Sequence, residues 1–305
     1  MDCRDLRVFE AVARFGGMGR AADELHTVQS NVTSRMRRLE AELKVSLFRR
    51  HPRGVELTDA GQRLLPYACK VARLLHEARR SVSDDGTPRG RLVVGSLETT
   101  AALRIADKLA AYVAAYPEVD LVLRTGTTAE LVDEVANDRL DGALVCGPVG
   151  DSALLAEPVF TEELVLLTAP SIRSFDAIAR GGDVSIVVLR TGCSYRQRLE
   201  EVLARRGIPA RRVLEFGTLE AISACVAAGL GITLLPRALI GSVWSANSMA
   251  VHTLPPRDGR VKTVFIRRRD AAPLAALTAF LETIKSSAQP ARRAQRRVAN
   301  LSRAS

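Results

Sequence analysis

The sequence predicts an α/β protein in three parts: a helical amino-terminal head, a long linker helix and a two-lobed α/β body. Three observations carry this. Two short apolar stripes of helical spacing meet at a break, His26-Thr27-Val28. A seam of Leu64, Ala68, Val71, Leu75, Ala78 and Val82 repeats at spacings of 4, 3, 4, 3 and 4. From Arg91 onward, short apolar strands alternate with helical patterns, as in layered α/β domains.

The first helix is marked by Leu6, Phe9, Val12 and Ala13 on one face, ahead of Gly16-Gly17. Ala21, Ala22 and Leu25 form the next stripe, and Val32, Met36, Leu39 and Leu43 the third. The break between the last two reads as the turn of a helix-turn-helix, with Thr27 as N-cap of the second helix. That helix carries Gln29, Ser30, Asn31, Thr33, Ser34, Arg37 and Arg38 on its polar side, and Arg20 stands in the helix before it. A merely solvated face would mix Glu and Lys. Amides, hydroxyls and guanidinium groups are what base edges and phosphates accept. Pro52-Arg53-Gly54 reads as a turn between strands Leu47–Arg50 and Val55–Leu57. Arg49, Arg50, His51 and Arg53 around it make a basic wing suited to phosphates or the minor groove. A solvated basic hairpin is the alternative, and adjacency to the polar helix favours the wing.

These residues carry a resemblance. LRVFEAVARFGGMGRAADELHTVQSNVTSRMRRLEAEL, followed by LFRRHPRGVELTDAG, resembles the amino-terminal domain of the LysR-type transcriptional regulators, closely over about the first 60 residues and more loosely beyond. Gly19 stands where the family often has a capping Ser or Thr, and Val28-Gln29-Ser30 replaces the common Ser-Gln-Pro. The resemblance implies a winged helix-turn-helix over residues 1–60 that binds double-stranded operator DNA.

Thr58-Asp59 caps a long helix to about Val82, with Pro66 near its start. Its seam can bury itself only on a partner or on the protein's own body. The family dimerises here, so residues 61–90 are expected to hold the dimerisation helix and a hinge, Ser83 to Gly90. A tetramer and contact with RNA polymerase are expected from the resemblance alone. Next come strands at Leu92–Gly95, Val119–Thr125, Gly142–Cys146, Glu163–Leu167, Val184–Leu189, Arg212–Phe216, Ile232–Leu235 and Lys262–Arg267. Helices at Ala101–Tyr116, Thr128–Asp138, Tyr195–Arg206, Leu219–Ala228 and Leu274–Lys285 separate most of them, which argues for parallel layers. The chain is expected to cross between lobes near Cys146–Glu163 and return near Arg257–Phe265. The family's periplasmic-binding-protein-like effector domain then spans 91–288, with lobe I at about 91–160 and 265–288 and lobe II at about 161–264. Residues 289–305 form a basic tail with no apolar period, expected to be disordered.

Charge is distributed to match. Residues 1–60 carry 11 basic and 9 acidic groups, 61–90 carry 6 and 3, 91–285 carry 22 of each, and 286–305 carry 5 basic groups and no acid. A nucleic-acid head on a neutral ligand domain shows this split. No apolar run reaches the ~18 residues of a membrane helix, and MDCRDLRVFEAV lacks the pattern of a signal peptide. The expected compartment is the cytoplasm, with no membrane partner. Cys3, Cys69, Cys146, Cys193 and Cys225 lack CxxC spacing, so neither a disulfide framework nor a metal site is expected.

Three strand ends lead into helices through small polar runs: Ser96 to Thr100, Thr125 to Thr128, and Thr191 to Ser194. Ligands of α/β domains sit at such ends, where helix N-termini favour anions. The candidate effector residues are Ser96, Thr99, Thr100, Thr127, Thr128, Cys146, Ser194 and Thr218, facing a small anionic molecule of unknown identity. Glu98 would repel an anion unless it points away. Some dicarboxylate-binding members carry arginine where Cys146 stands, so a dicarboxylate is not singled out. Cys146 and Cys193 are read as buried inert thiols in preference to redox sensors. His26, His51, His76 and His252 approach no Ser or Cys at a useful strand end, and neither GxGxxG after a strand nor a P-loop is present. No catalytic residue and no cofactor are expected. The alternative function is a solute-binding receptor without DNA binding, which would require export.

Overall fold

The computed structural model describes residues 1–51, 54–83, 85–174, 178, 184–245, 248–272 and 274–286. They form two compact units, Met1–Asp85 and Gly86–Ser305. In the first, Asp2 and Asp5 cap helix α1 (Cys3–Phe15) reciprocally, each carboxylate accepting the other's backbone N–H at 2.8 and 3.3 Å. Gly16 ends α1 in the left-handed region. Helix α2 (Met18–Glu24) begins one residue after Gly17, its N-cap, so Gly19 lies inside the helix. His26, at φ +51°, makes the tight turn into α3 (Gln29–Leu43). Val28, not Thr27, occupies the N-cap of α3. The Thr27 hydroxyl instead accepts from Asn31 Nδ2 at 3.0 Å. No side chain of a described residue caps this helix.

Phe9, Val12, Ala21, Val32, Met36, Leu39 and Leu47 close the core of this unit. Strands β1 (Phe48–His51) and β2 (Gly54–Leu57) pair antiparallel from Phe48↔Leu57 to His51↔Gly54. Gly54 is required where it stands: its φ is +139°, and a Cβ would lie 2.4 Å from the Gly16 carbonyl oxygen. Val55 N–H donates to that same carbonyl at 3.1 Å, which fixes the hairpin to the end of α1.

Thr58 caps α4 (Asp59–Ser83), accepting from Gly61 N–H at 3.1 Å. The expected heptad seam divides. Leu64, Ala68 and Val71 pack on the unit's own core. Leu75, Ala78 and Val82 are exposed, as are Tyr67 and Leu74. Half the seam thus belongs to the fold, and the other half is exposed among the described residues.

The second unit contains β3 (Gly90–Ser96), β4 (Val119–Thr125), β5 (Gly142–Cys146), β6 (Leu154–Thr168), β7 (Val184–Leu189), β8 (Ala210–Phe216), β9 (Thr233–Pro236), β10 (Ala250–Thr253) and β11 (Arg260–Arg268). The helices are α5 (Glu98–Thr100), a π-helical turn (Ala101–Ile105), α6 (Ala106–Ala115), α7 (Thr128–Ala136), α8 (Ser194–Ala204), α9 (Leu219–Ala227), α10 (Pro256–Gly259) and α11 (Ala275–Lys285). A sheet runs β10-β6-β11-β5-β3-β4, with β9 also on β6. The parallel expectation holds for β4-β3-β5 and for β7-β8. It fails for β6, β9, β10 and β11, which pair antiparallel: β6 runs from one lobe into the other, β11 lies beside β5 and the first part of β6, and β9 and β10 flank its last part. Strand β6 serves both: Leu154–Glu163 pairs with β11, and Leu164–Leu167 pairs with β9. An isolated bridge, Ile186↔Ile232, brings β7 beside β9.

Lobe I packs Leu92, Ile105, Tyr112, Phe265 and Phe280 between sheet and helices. The Tyr112 hydroxyl donates to the Ala276 carbonyl at 2.7 Å. A larger cluster continues from Leu131 and Val145 into Ile186, Leu199, Ile222 and Leu235 of lobe II.

Candidate functional site

On α3, about 100° of rotation per residue sorts the polar side into two strips. Gln29, Ser30, Thr33, Ser34 and Arg37 share one; all are exposed except Thr33, which is half-buried. This strip faces away from the core residues Val32, Met36 and Leu39. Asn31, Arg35 and Arg38 share the other. There Arg38 Nη2 donates to Asp5 at 2.7 and 2.9 Å, and Arg35 Nη1 donates to it at 2.9 Å. Burial pushes the Asp5 carboxyl up, but the Arg38 and Arg35 hydrogen bonds outweigh this and hold it below its ordinary range. Arg38, expected at DNA, is therefore committed to joining α3 to α1, and Asn31 is committed to Thr27. Arg20 is exposed and reaches back to the Gly16 carbonyl at 3.4 Å. On the hairpin, Arg49 is exposed and His51 pairs with Glu56 at 3.0 Å. Arg53 lies outside the described residues, and the description of Arg50 stops at its backbone.

In the second unit a cleft of about 610 Å³, open to solvent, forms where strands β3, β4, β5 and β7 end. Of the expected residues, Thr99, Thr127, Thr128, Cys146 and Ser194 line it. Three do not. Ser96 is fully buried and its hydroxyl donates to the Leu97 carbonyl at 3.0 Å. Thr100 is buried outside the lining. Thr218 is the N-cap of α9, accepting from Ala221 N–H at 3.3 Å. Thr127 combines two roles, since its hydroxyl also accepts from Glu130 N–H at 3.3 Å in the capping box of α7.

The cleft has polar atoms without work. Thr99 Oγ1, Thr128 Oγ1 and the Tyr195 hydroxyl are buried and make no well-formed hydrogen bond among the described residues, although the Thr99 hydroxyl lies close enough to Tyr195 to oppose part of the upward push of burial on its phenol. Burial pushes the Tyr195 phenol far up, so it is neutral and able to donate. Tyr195 is not marked by the sequence patterns; its only signal is that it follows Ser194 in the first turn of α8. Burial also pushes the Cys146 thiol up to about 11 and raises Cys193. Both are protonated at neutral pH, which suits packing and not nucleophilic or redox chemistry. Leu97 and Leu189 supply apolar wall, and Arg190 and Glu98 supply charge. The lobes touch at the cleft: Ala129 N–H donates to the Gly192 carbonyl at 3.3 Å. Gly192 sits at φ +94°, and a Cβ there would lie 2.8 Å from Thr127 Oγ1.

A helix-turn-helix head and a two-lobed α/β unit with a polar cleft define a DNA-binding regulator with a ligand domain. The chain belongs to the LysR family. Residues 3–62 match the bacterial regulatory helix-turn-helix protein model of that family, and 85–289 match the LysR substrate binding domain. It is 40% identical over 289 residues to the HTH-type transcriptional regulator GltR of Bacillus subtilis (strain 168), covering 95% of this chain and 98% of that protein. A full-length, singly substituted OxyR from Pseudomonas aeruginosa shares its fold at TM-score 0.70 and 22% identity, over 95% of this chain and 99% of that one. Full-length CbnR complexed with its target DNA shares it at TM-score 0.50 and 24% identity, over 93% and 98%. The chain is thus a DNA-binding transcriptional regulator with an effector-binding domain, and the solute-receptor alternative falls. The relatives are regulators, not enzymes. Among the described residues, no helix is long and apolar enough to cross a membrane.

Proposed function

We propose that this regulator reads operator DNA with the Gln29–Arg37 strip of α3 and senses a small carboxylate-bearing metabolite in the cleft between its lobes. The observation that carries the sensing role is that three residues lining one cavity, Thr99, Thr128 and Tyr195, each bring a buried hydroxyl without a well-formed hydrogen bond. Leaving a buried polar group unpaired costs roughly 1–3 kcal/mol. A ligand that accepts from all three offsets that cost, and the N-termini of α7 and α8 favour its negative charge. The ligand touches both lobes and so favours one closure state. Residues 1–60 are the DNA-binding head, 61–90 the dimerising linker and 91–288 the effector domain. The working form is a dimer through α4, extending to a tetramer, in the cytoplasm, with RNA polymerase as a further partner. It performs no catalysis.

The DNA role is tested with the operator found by genomic footprinting of the purified protein. Arg37→Ala is expected to lose about 1–3 kcal/mol of specific binding in fluorescence anisotropy, with relaxed sequence preference. Operator binding equal to wild type would remove α3's outer strip from the interface.

The cleft is tested by Thr128→Val and Tyr195→Phe. Each is expected to weaken the effector response roughly tenfold or more, while effector-free operator affinity and melting temperature stay at or above wild type. Ser96→Ala should change neither, because its hydroxyl is already bonded to Leu97. Wild-type effector response in both cleft variants would place sensing elsewhere.

A further inference from the structure

The charge in the cleft is arranged in two parts. One part suits an anion: the N-termini of α7 and α8, the three buried hydroxyls and the guanidinium of Arg190, although Glu130 in the capping box of α7 already offsets part of the α7 end and of Arg190. The other is acidic. Glu98 lines the same cleft, half-buried, and no hydrogen bond or ion pair from a described residue reaches its carboxylate. Burial raises the Glu98 pKa, Glu220 raises it further and Arg190 opposes both. Glu220 belongs to the opposite lobe, in the first turn of α9, three residues beyond the cleft-lining Gly217. Two carboxylates on facing lobes repel each other as the lobes approach, and a cation between them removes that repulsion.

Each simpler ligand leaves part of this site unmatched. A plain carboxylate satisfies the hydroxyls and meets Glu98 with like charge. A plain amine satisfies Glu98 and meets two helix N-termini and Arg190. A neutral apolar molecule leaves every polar group as it was. Resting on the cleft reading above, we infer that the effector is a small ammonium carboxylate, an α-amino acid or close analogue. Its carboxylate lies among Thr99, Thr128, Tyr195 and Arg190, and its ammonium group is held by Glu98. A zwitterion of this kind draws the lobes together at both ends, because Glu98 sits on lobe I while Tyr195 and Arg190 sit on lobe II.

The test is isothermal titration calorimetry on the full-length protein with the proteinogenic L-amino acids, their 2-deamino carboxylic acids and their decarboxylated amines. At least one amino acid should bind, with its deaminated and decarboxylated counterparts weaker by roughly tenfold or more, the worth of a charge-assisted hydrogen bond. Glu98→Gln should weaken the amino acid by a similar factor and leave the deaminated acid unchanged or tighter. The inference is overturned if no amino acid binds, if a deaminated acid binds as tightly, or if Glu98→Gln binds the amino acid as wild type does. Failure of the cleft itself looks different: whatever ligand binds would then be insensitive to Thr128→Val and Tyr195→Phe.

Discussion

Arg104→Ala is expected to lower the stability of the second unit by about 2–3 kcal/mol, less than a fully buried pair would lose because the Arg104 side chain is 37% exposed, yet a sizeable share of the ~5–15 kcal/mol that holds a domain. Glu162 lies on β6, 3% exposed, where the strand passes from one lobe to the other. Arg104 meets it with two parallel hydrogen bonds, Nε at 2.7 Å and Nη2 at 2.9 Å. The pair ties the π-helical turn behind Thr99 and Thr100 to the crossing strand. Removing the arginine leaves a carboxylate in the interior without its counter-ion, which is the costly direction. Changing both residues to apolar ones of similar size, Arg104→Met with Glu162→Leu, should cost much less, since no charge is stranded. Urea unfolding checks this, followed by fluorescence of Trp244, the chain's single tryptophan and part of the second unit. A single variant within about 1 kcal/mol of wild type would show that water reaches Glu162.

How much of this is legible in the sequence depends on the range of the interaction. Strands β4, β5 and β7 have the bounds the sequence predicts, because mainly apolar, β-branched-rich runs between breakers are local signals. The first half of β6 escapes such a reading. Glu157-Pro158 looks like a break, yet Pro158 sits at a register shift between Thr263 and Val264, where a ladder tolerates a residue without N–H. In the head, Arg37 and Arg38 are neighbours with different fates. Arg37 stays exposed, while Arg38 meets Asp5 from 33 residues away, a pairing no local pattern encodes. The strand-end runs coincide with part of the lining of the cleft. Which hydroxyl faces it depends on helix rotation set by packing: Thr99 lines the cavity, while its neighbour Thr100 is buried outside it. Tyr195 supplies the third buried hydroxyl and carries no more signal than any aromatic near a helix start.

If the protein dimerises through α4 as proposed, Leu75→Glu is expected to convert that dimer to monomers at micromolar concentration. The exposed half of the α4 seam presents Leu75 and Val82, the latter 89% exposed, and Tyr67 and Leu74 stand exposed beside it on the same side of the helix. Single exposed apolar residues need no explanation, but a stripe of four along one helix marks a surface meant to be covered. Burying a leucine contributes about 1.5–3 kcal/mol. In a twofold dimer each substitution occurs twice, so two such contributions are lost and two carboxylates are driven into the interface. The combined loss of more than about 3 kcal/mol weakens association by over a hundredfold. Operator binding should fall with it, because a lone head engages one half-site where a dimer engages two. Light scattering reads the mass directly, and an unchanged mass would show that α4 is covered in some other way. The contrasting variant is Val71→Glu. Val71 packs on the head's own core, so this change should unfold the head instead of dissociating folded protomers. Circular dichroism separates the two outcomes: native helix content with half the mass for Leu75→Glu, and lost helix content for Val71→Glu.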